Sequence, residues 1–117
     1  MNIKKDMDRA VSKELRKASL RILRGVIVRT PVDSGRLRGA WLVGVNMEPI
    51  GPGDPSKQTS PVVIREGAIL RQVTEADDKI TIINNLPYAQ PIEDGHGGRT
   101  PGVMIANTLA VERNRKT

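Results

Sequence analysis

NIKKDMDRAVSKELRKASLRILRGVIVRTP, residues 2–31, decides the fold. Within it the apolar residues Met7, Val11, Leu15, Ala18, Ile22 and Val26 recur every three or four positions, and Ala10, Leu23 and Ile27 widen the stripe. That period predicts an amphipathic helix from about Asn2 to Arg29. Its opposite face carries Lys5, Arg9, Lys13, Arg16, Lys17, Arg21 and Arg24. Pro31 ends it, because a proline pushes the residue before it out of helical geometry.

Working outward, Thr30 to Gly35 reads as a turn: proline presets one backbone angle, Asp33 and Ser34 bond their own backbone, and glycine permits positive φ. Leu37, Trp41, Val43, Val45 and Met47 then fall on odd positions, the period of a half-buried strand, surest from Ala40 to Met47. Residues 48–61, EPIGPGDPSKQTSP, hold four prolines and two glycines and predict an irregular, mobile loop. Ser60 and Pro61 resemble a helix start, and Val63, Ile64, Ala68, Ile69 and Val73 suit a helix, with a short strand over Ile69 to Val73 as the alternative. Asp77 and Asp78 make a turn, and Lys79 to Asn84 is strand-like by β-branching. Thr100 and Pro101 give a second cap-plus-proline start for a helix reaching about Arg113, with Arg113, Arg115 and Lys116 matched to the negative pole of its dipole. The order predicts an α+β domain spanning residues 1–117: a long N-terminal amphipathic helix and a C-terminal helix packed on a small antiparallel sheet, with a long Pro/Gly-rich loop.

Composition narrows the function classes. There is no Phe, one Trp and one Tyr among 117 residues, so the core is built from aliphatic side chains and Met with little aromatic volume. Trp41 reads as a core anchor. The absence of Cys removes disulfides, thiolate nucleophiles and most structural zinc sites, and one His cannot make a multi-histidine metal centre. No run of apolar residues is long enough to span a membrane, and MNIKKDMDRA has charges where a signal peptide has its apolar region, so we expect a soluble chain used without export. Net charge is +6, divided unevenly: residues 1–38 hold 11 Lys or Arg against four acids, and residues 39–117 hold eight against nine. A basic N-terminal third attracts an acidic protein surface or a nucleic acid. Arg16, Lys17, Arg21 and Arg24 are the candidate contacts for either, and a basic nucleic-acid-binding module using this helix is the alternative function. Interleaved aromatics, the stacking platform for single strands, are missing.

NNLPYAQPIEDGHGGRTPGVM, residues 84–104, gathers the only Tyr, an acidic pair and the only His. Glu93, Asp94 and His96 are the groups that could act as acid, base or metal ligand, with Tyr88 orienting a substrate. No HExxH pair, GxSxG elbow or phosphate loop accompanies them, since no lysine follows Gly95, Gly97 and Gly98 at the required spacing. The segment reads as a tight backbone path, with no cofactor and no metal expected.

Two stretches together carry a resemblance. TPVDSGRLRGAW, residues 30–41, resembles the signature TPVDTGRLRxSW, and INNLPYAQPIEDGH, residues 83–96, resembles xTNNxPYAxxLExGHS. Both signatures belong to the tail-completion and neck proteins of long-tailed bacteriophages, the family that includes minor tail protein Z and the tail-component morphogenesis proteins. Where that family has Ser after the His and a Gln-Ala-Pro-x-Gly-Met run, this chain has Gly97-Gly98-Arg99-Thr100-Pro101-Gly102-Val103-Met104. The resemblance implies a structural, non-catalytic virion protein at the tail end or neck, present in the host cytoplasm during assembly, that acts in tail completion and head-tail joining. It implies a homo-oligomer, a hexameric ring, meeting tail-tube, tail-terminator or head-completion and connector proteins, with non-specific contact to passing DNA and no membrane. Its motif residues map onto Pro31, Asp33, Gly35, Arg36, Leu37, Trp41, Asn84, Asn85, Pro87, Tyr88, Glu93, Gly95, His96, Pro101 and Met104. On this reading Asn84 and Asn85 end a strand, Pro87 and Tyr88 turn the chain, and Glu93 to His96 lock the return to the last helix.

Overall fold

The computed structural model describes residues 2–98 and 100–115, so Lys116, one of the three basic residues assigned above to the last helix end, lies outside the described residues. Helix α1 runs Ile3–Val28, and Asn2 caps it by accepting the Lys5 N–H at 3.1 Å. After the turn come α2, Arg36–Gly39, and strand β1, Trp41–Val45. Helix α3, Thr59–Gly67, passes directly into a 3-10 turn at Ala68–Gln72. Strand β2, Ile80–Asn84, pairs antiparallel with β1, placing Trp41 opposite Asn84 and Val45 opposite Ile80. Helix α4, Ala89–Glu93, a second 3-10 turn at His96–Gly98 and helix α5, Ile105–Arg113, follow. The architecture is α+β, a two-stranded antiparallel sheet covered by helices.

The core forms where α1, the sheet and α3 meet: Leu23, Val26 and Ile27 of α1 pack with Trp41 and Val43 of β1, Val62 of α3, Leu70 and Met104. Trp41, only 2% exposed, is its largest side chain. The indole N–H donates to Thr30 Oγ1 at 2.8 Å, and Thr30 Oγ1 donates in turn to Val26 O at 2.6 Å. A buried indole needs such a partner. This relay ties the end of α1 to the first residue of β1.

A two-stranded sheet has two open edges, and β1's is closed by side chains. Glu66, itself buried, accepts the Val43 N–H at 2.9 Å, while Arg65 pairs with Glu66 at 2.7 Å and donates to Gly39 O at 2.7 Å. The loop expected over residues 48–61 ends at Gln58, because Thr59, Ser60 and Pro61 open α3; residues 48–58 are irregular and anchored at several points. Asn85 Nδ2 donates to Pro49 O and Gly51 O, Ser56 N to Gly35 O, and Arg38 to Lys57 O. Gly39 lies so close to Asp54 O that no Cβ would fit.

Several sequence expectations are corrected. Leu37 is buried in α2 and is not a strand residue, and Met47 is 63% exposed. The strand period stops at Val45 because Asn46 turns left-handed, φ 58°, donating its N–H to Lys79 O and its side-chain amide to Asp78. Ser60 does not cap α3; Gln58 holds the N-cap position, and the hydroxyl that organises the turn is Ser56, which accepts from Gln58 N. The Ile69 to Val73 alternative of a strand is a 3-10 turn through Gln72. Met7 and Val11 of the α1 stripe are exposed. The cause is length: α5 runs back along α1 through Thr108 with Arg29 and Glu112 with Arg21, and it ends at Arg113 before reaching them.

Trp41→Phe should therefore cost about 2–3 kcal/mol, the lost bond and the vacated volume together, in urea unfolding followed by circular dichroism. A pH effect is expected at the β1–β2 connection. There the Asn46 side chain, then the Glu75 and Thr74 N–H groups, hold the Asp78 carboxyl below its ordinary value. A lowered folded value means this stabilisation is present above the unfolded carboxylate range and is lost as pH falls through the folded one. Thermal midpoints measured from pH 6 down to about pH 2 should fall less steeply in Asp78→Asn than in the wild type.

Candidate functional site

The two motif stretches, far apart in sequence, meet in space. Because β1 starts at Trp41 and β2 ends at Asn84, sheet pairing brings the end of the first stretch against the start of the second. Asn84 secures the junction: its Nδ2 donates to Leu37 O at 2.8 Å and its Oδ1 accepts the Leu86 N–H at 3.2 Å. Asn85 points the other way, to the 48–58 loop. Pro87 lies in a turn, as expected, and Tyr88 stands at the N-terminus of α4, a short helix that the sequence did not announce.

Two clefts result. One, of about 200 Å³, is walled by Pro31, Asp33, Gly35 and Leu37 on one side and Tyr88 and Ile92 on the other. Gly35 is required there, since it adopts φ 83° and a Cβ would meet the Ser56 carbonyl carbon at 2.9 Å. The other cleft, also about 200 Å³, lies between β2 and α4, with Trp41, Asn84, Glu93 and Met104 in its lining. Arg36 is exposed beside the first cleft's glycine.

Of the polar groups that looked like chemistry, Glu93 is occupied in holding the backbone. Glu93 accepts three N–H groups at the start of α5: Met104 at 2.9 Å and Ile105 at 3.0 Å on one oxygen, Ala106 at 3.0 Å on the other. A helix start leaves such donors unpaired, and its dipole favours a carboxylate. Gly102 N also donates to Glu93 O at 2.6 Å. The cap expected from Thr100 and Pro101 is thus replaced: Thr100 precedes a turn that begins at Pro101, α5 begins at Ile105, and the capping group comes from α4. Asp94 accepts from Gln90 at 2.9 Å, and His96 is exposed on the second 3-10 turn. Gly95 and Gly97 take φ 91° and 75°, so this return path is open to glycine far more readily than to other residues.

The four basic candidates of α1 do not act as one surface. Arg16 donates to Val73 O and to Ser12 Oγ, and Arg21 forms an ion pair with Glu112 at 3.0 Å. Burial pushes the Glu112 carboxyl up, but the Arg21 bond and the charges of Arg115 and Arg21 outweigh it and hold the group below its ordinary value. Lys17 lies 3.9 Å from Glu14, and Arg24 is exposed. Sequence reasoning missed the Arg65–Glu66 closure, for which an Arg-Glu neighbour pair on a helix gives no signal. It read the turn at Asp77 and Asp78 but missed that Glu75 joins them there, one carboxylate oxygen of each lying within 4.8 Å of the others. Among the described residues no helix is long and apolar enough to cross a membrane.

A family model named HK97-gp10_like, described as "Bacteriophage HK97-gp10, putative tail-component", matches residues 1–95, which takes in α1 through α4 and both motif stretches up to Gly95. No curated protein and no solved structure matches the chain. The Glu93 cap lies inside the matched range while the helix it caps lies beyond it. Glu93→Ala should cost about 1–2 kcal/mol and loosen α5 selectively, seen as faster amide exchange at Met104, Ile105 and Ala106 than in β1.

Proposed function

The chain belongs to the HK97-gp10-like family, structural tail components of bacteriophage virions, and from that premise we propose that it completes the tail at the neck and joins tail to head, assembled as a ring. The observation that carries this reading is the meeting of the two motif stretches, which face each other across the first cleft and contribute Trp41 and Asn84 to the lining of the second. The residues shared with the neck proteins, Pro31, Asp33, Gly35 and Leu37 with Tyr88, and Trp41 with Asn84 and Glu93, line a surface suited to docking. Glu93, the carboxylate in the lining of the second cleft, serves the backbone, which favours a shape-presenting role over a catalytic one.

A ring is favoured on energetic grounds. The core lacks Phe, and Met7, Val11, Ile50 and Ile64 are left exposed, so shared burial would add stability the isolated chain does not have. Sixfold symmetry is proposed from the tail tube it would meet, with tail-terminator or connector proteins as the other neighbours. The exposed cations of α1 would face acidic neighbours or passing DNA. Duplex binding as the main function has less support, because two of the four candidate arginine and lysine side chains are committed inside the chain.

Phage lacking this protein should accumulate filled heads and separate tails, and added purified protein should restore joining, both counted by electron microscopy and plaque titre. Normal infectious particles without it would refute the neck assignment. Duplex binding that weakens by orders of magnitude between about 50 and 200 mM salt, and is lost on neutralising Lys17 and Arg24, would favour the nucleic-acid reading instead.

A further inference from the structure

On the outer side of α1, Leu20, 42% exposed, forms with Gly67 and Leu70 the floor of an open groove of about 280 Å³. Lys13, Lys17 and Arg71 rim it, and no carboxylate is in its lining. That volume is below what a drug-sized ligand fills and suits a single aliphatic side chain. A duplex would meet the cations through its phosphates, but its backbone offers no aliphatic side chain to the floor, so the combination calls for a protein segment that is apolar at its centre and acidic at its flanks.

The same chain carries such a segment. Ile50 is 91% exposed, the most exposed large apolar side chain among the described residues, and it is flanked by the exposed carboxylates of Glu48 and Asp54 with no basic residue between them. This segment crosses the face of the sheet opposite α1. Trp41 and Val43 point into the core against Leu23 and Val26, whereas a Cβ on Gly44, which points the other way, would meet Pro49 Cδ at 2.7 Å. One chain therefore cannot fill its own groove.

We propose that Ile50 of one copy seats in the Leu20–Gly67–Leu70 groove of the next, with Glu48 and Asp54 against Lys13, Lys17 and Arg71. Plug and socket are different surfaces, so the association is head-to-tail and propagates until a ring closes. It supplies a contact for the ring proposed above and rests on that reading only for closure.

The chain has no Cys, so introduced thiols report this contact cleanly. Ile50→Cys and Leu20→Cys alter exposed side chains, and each full-length variant should keep the wild-type circular dichroism spectrum. Mixed at up to millimolar chain with a short bismaleimide, the two should give covalent dimers at least tenfold above either variant alone, and the double variant should give a ladder of higher species. Glu48→Lys with Asp54→Lys should abolish the crossed dimer, and Lys13→Glu with Lys17→Glu on the partner should restore it. Equal cross-linking of Leu20→Cys with itself, or no crossed dimer at any concentration, overturns the contact. Crossed dimers from a protein whose loss leaves phage infectious would remove the neck assignment and leave the contact standing; unjoined heads and tails without crossed dimers would do the reverse.

Discussion

One buried hydrogen bond sets the frame of this protein: the Trp41 indole to the Thr30 hydroxyl, which in turn donates a hydrogen bond to Val26 O in the last turn of α1. In a core without Phe, the indole is the largest volume available, and its one polar atom must find a partner when buried. Thr30 supplies that partner only if the chain turns sharply between residues 31 and 40. The turn places α2 under α1, where Arg38 reaches Val28 O and Thr30 O, and starts β1 in a fixed position. From there antiparallel pairing determines β2, and Asn84 closes the circuit by bonding Leu37 O.

The second organising feature is the use of carboxylates where backbone partners run out. A sheet of two strands leaves edges open, and short helices leave a large fraction of their terminal groups unpaired. Glu66 completes the edge of β1, Glu93 the start of α5, and Asp78 the turn into β2. Glu93 would suit chemistry by its type, but its oxygens are filled by backbone N–H donors. The basic residues divide in the same manner, Arg16, Arg21, Arg38 and Arg65 bonding inward while Lys13, Lys17 and Arg24 remain at the surface. An assembly protein benefits from both halves of this division, since a rigid frame presents the remaining charges and apolar residues in fixed positions.

Periodicity is a strong signal where an element is long or alternates cleanly. α1, the two strands and the α+β class were legible on those grounds, and the paired motif stretches were legible as one family signature. Their spatial meeting was not anticipated; the expectation was only of a turn that returns the chain to its last helix. What escaped was the end of the α1 stripe, which depends on how far α5 reaches; the 3-10 turn after α3; α4, only five residues long; and every cap that uses a side chain distant in sequence. A helix start is recognised from its own first residues, and Glu93 lies twelve residues before Ile105, the first residue of the helix it caps.

The order of residues by itself determined the identities of α1 and the two strands, the turn at Pro31 to Gly35, the glycine-lined return after Glu93 and the excess of positive charge at one end, because each is a local matter of period, φ preference or composition. Only the tertiary structure decided which apolar residues are covered, which charges are free and which carboxylates serve as backbone partners. Those depend on what another element brings within a few ångströms, and no property of a residue's own neighbours in the chain contains that distance.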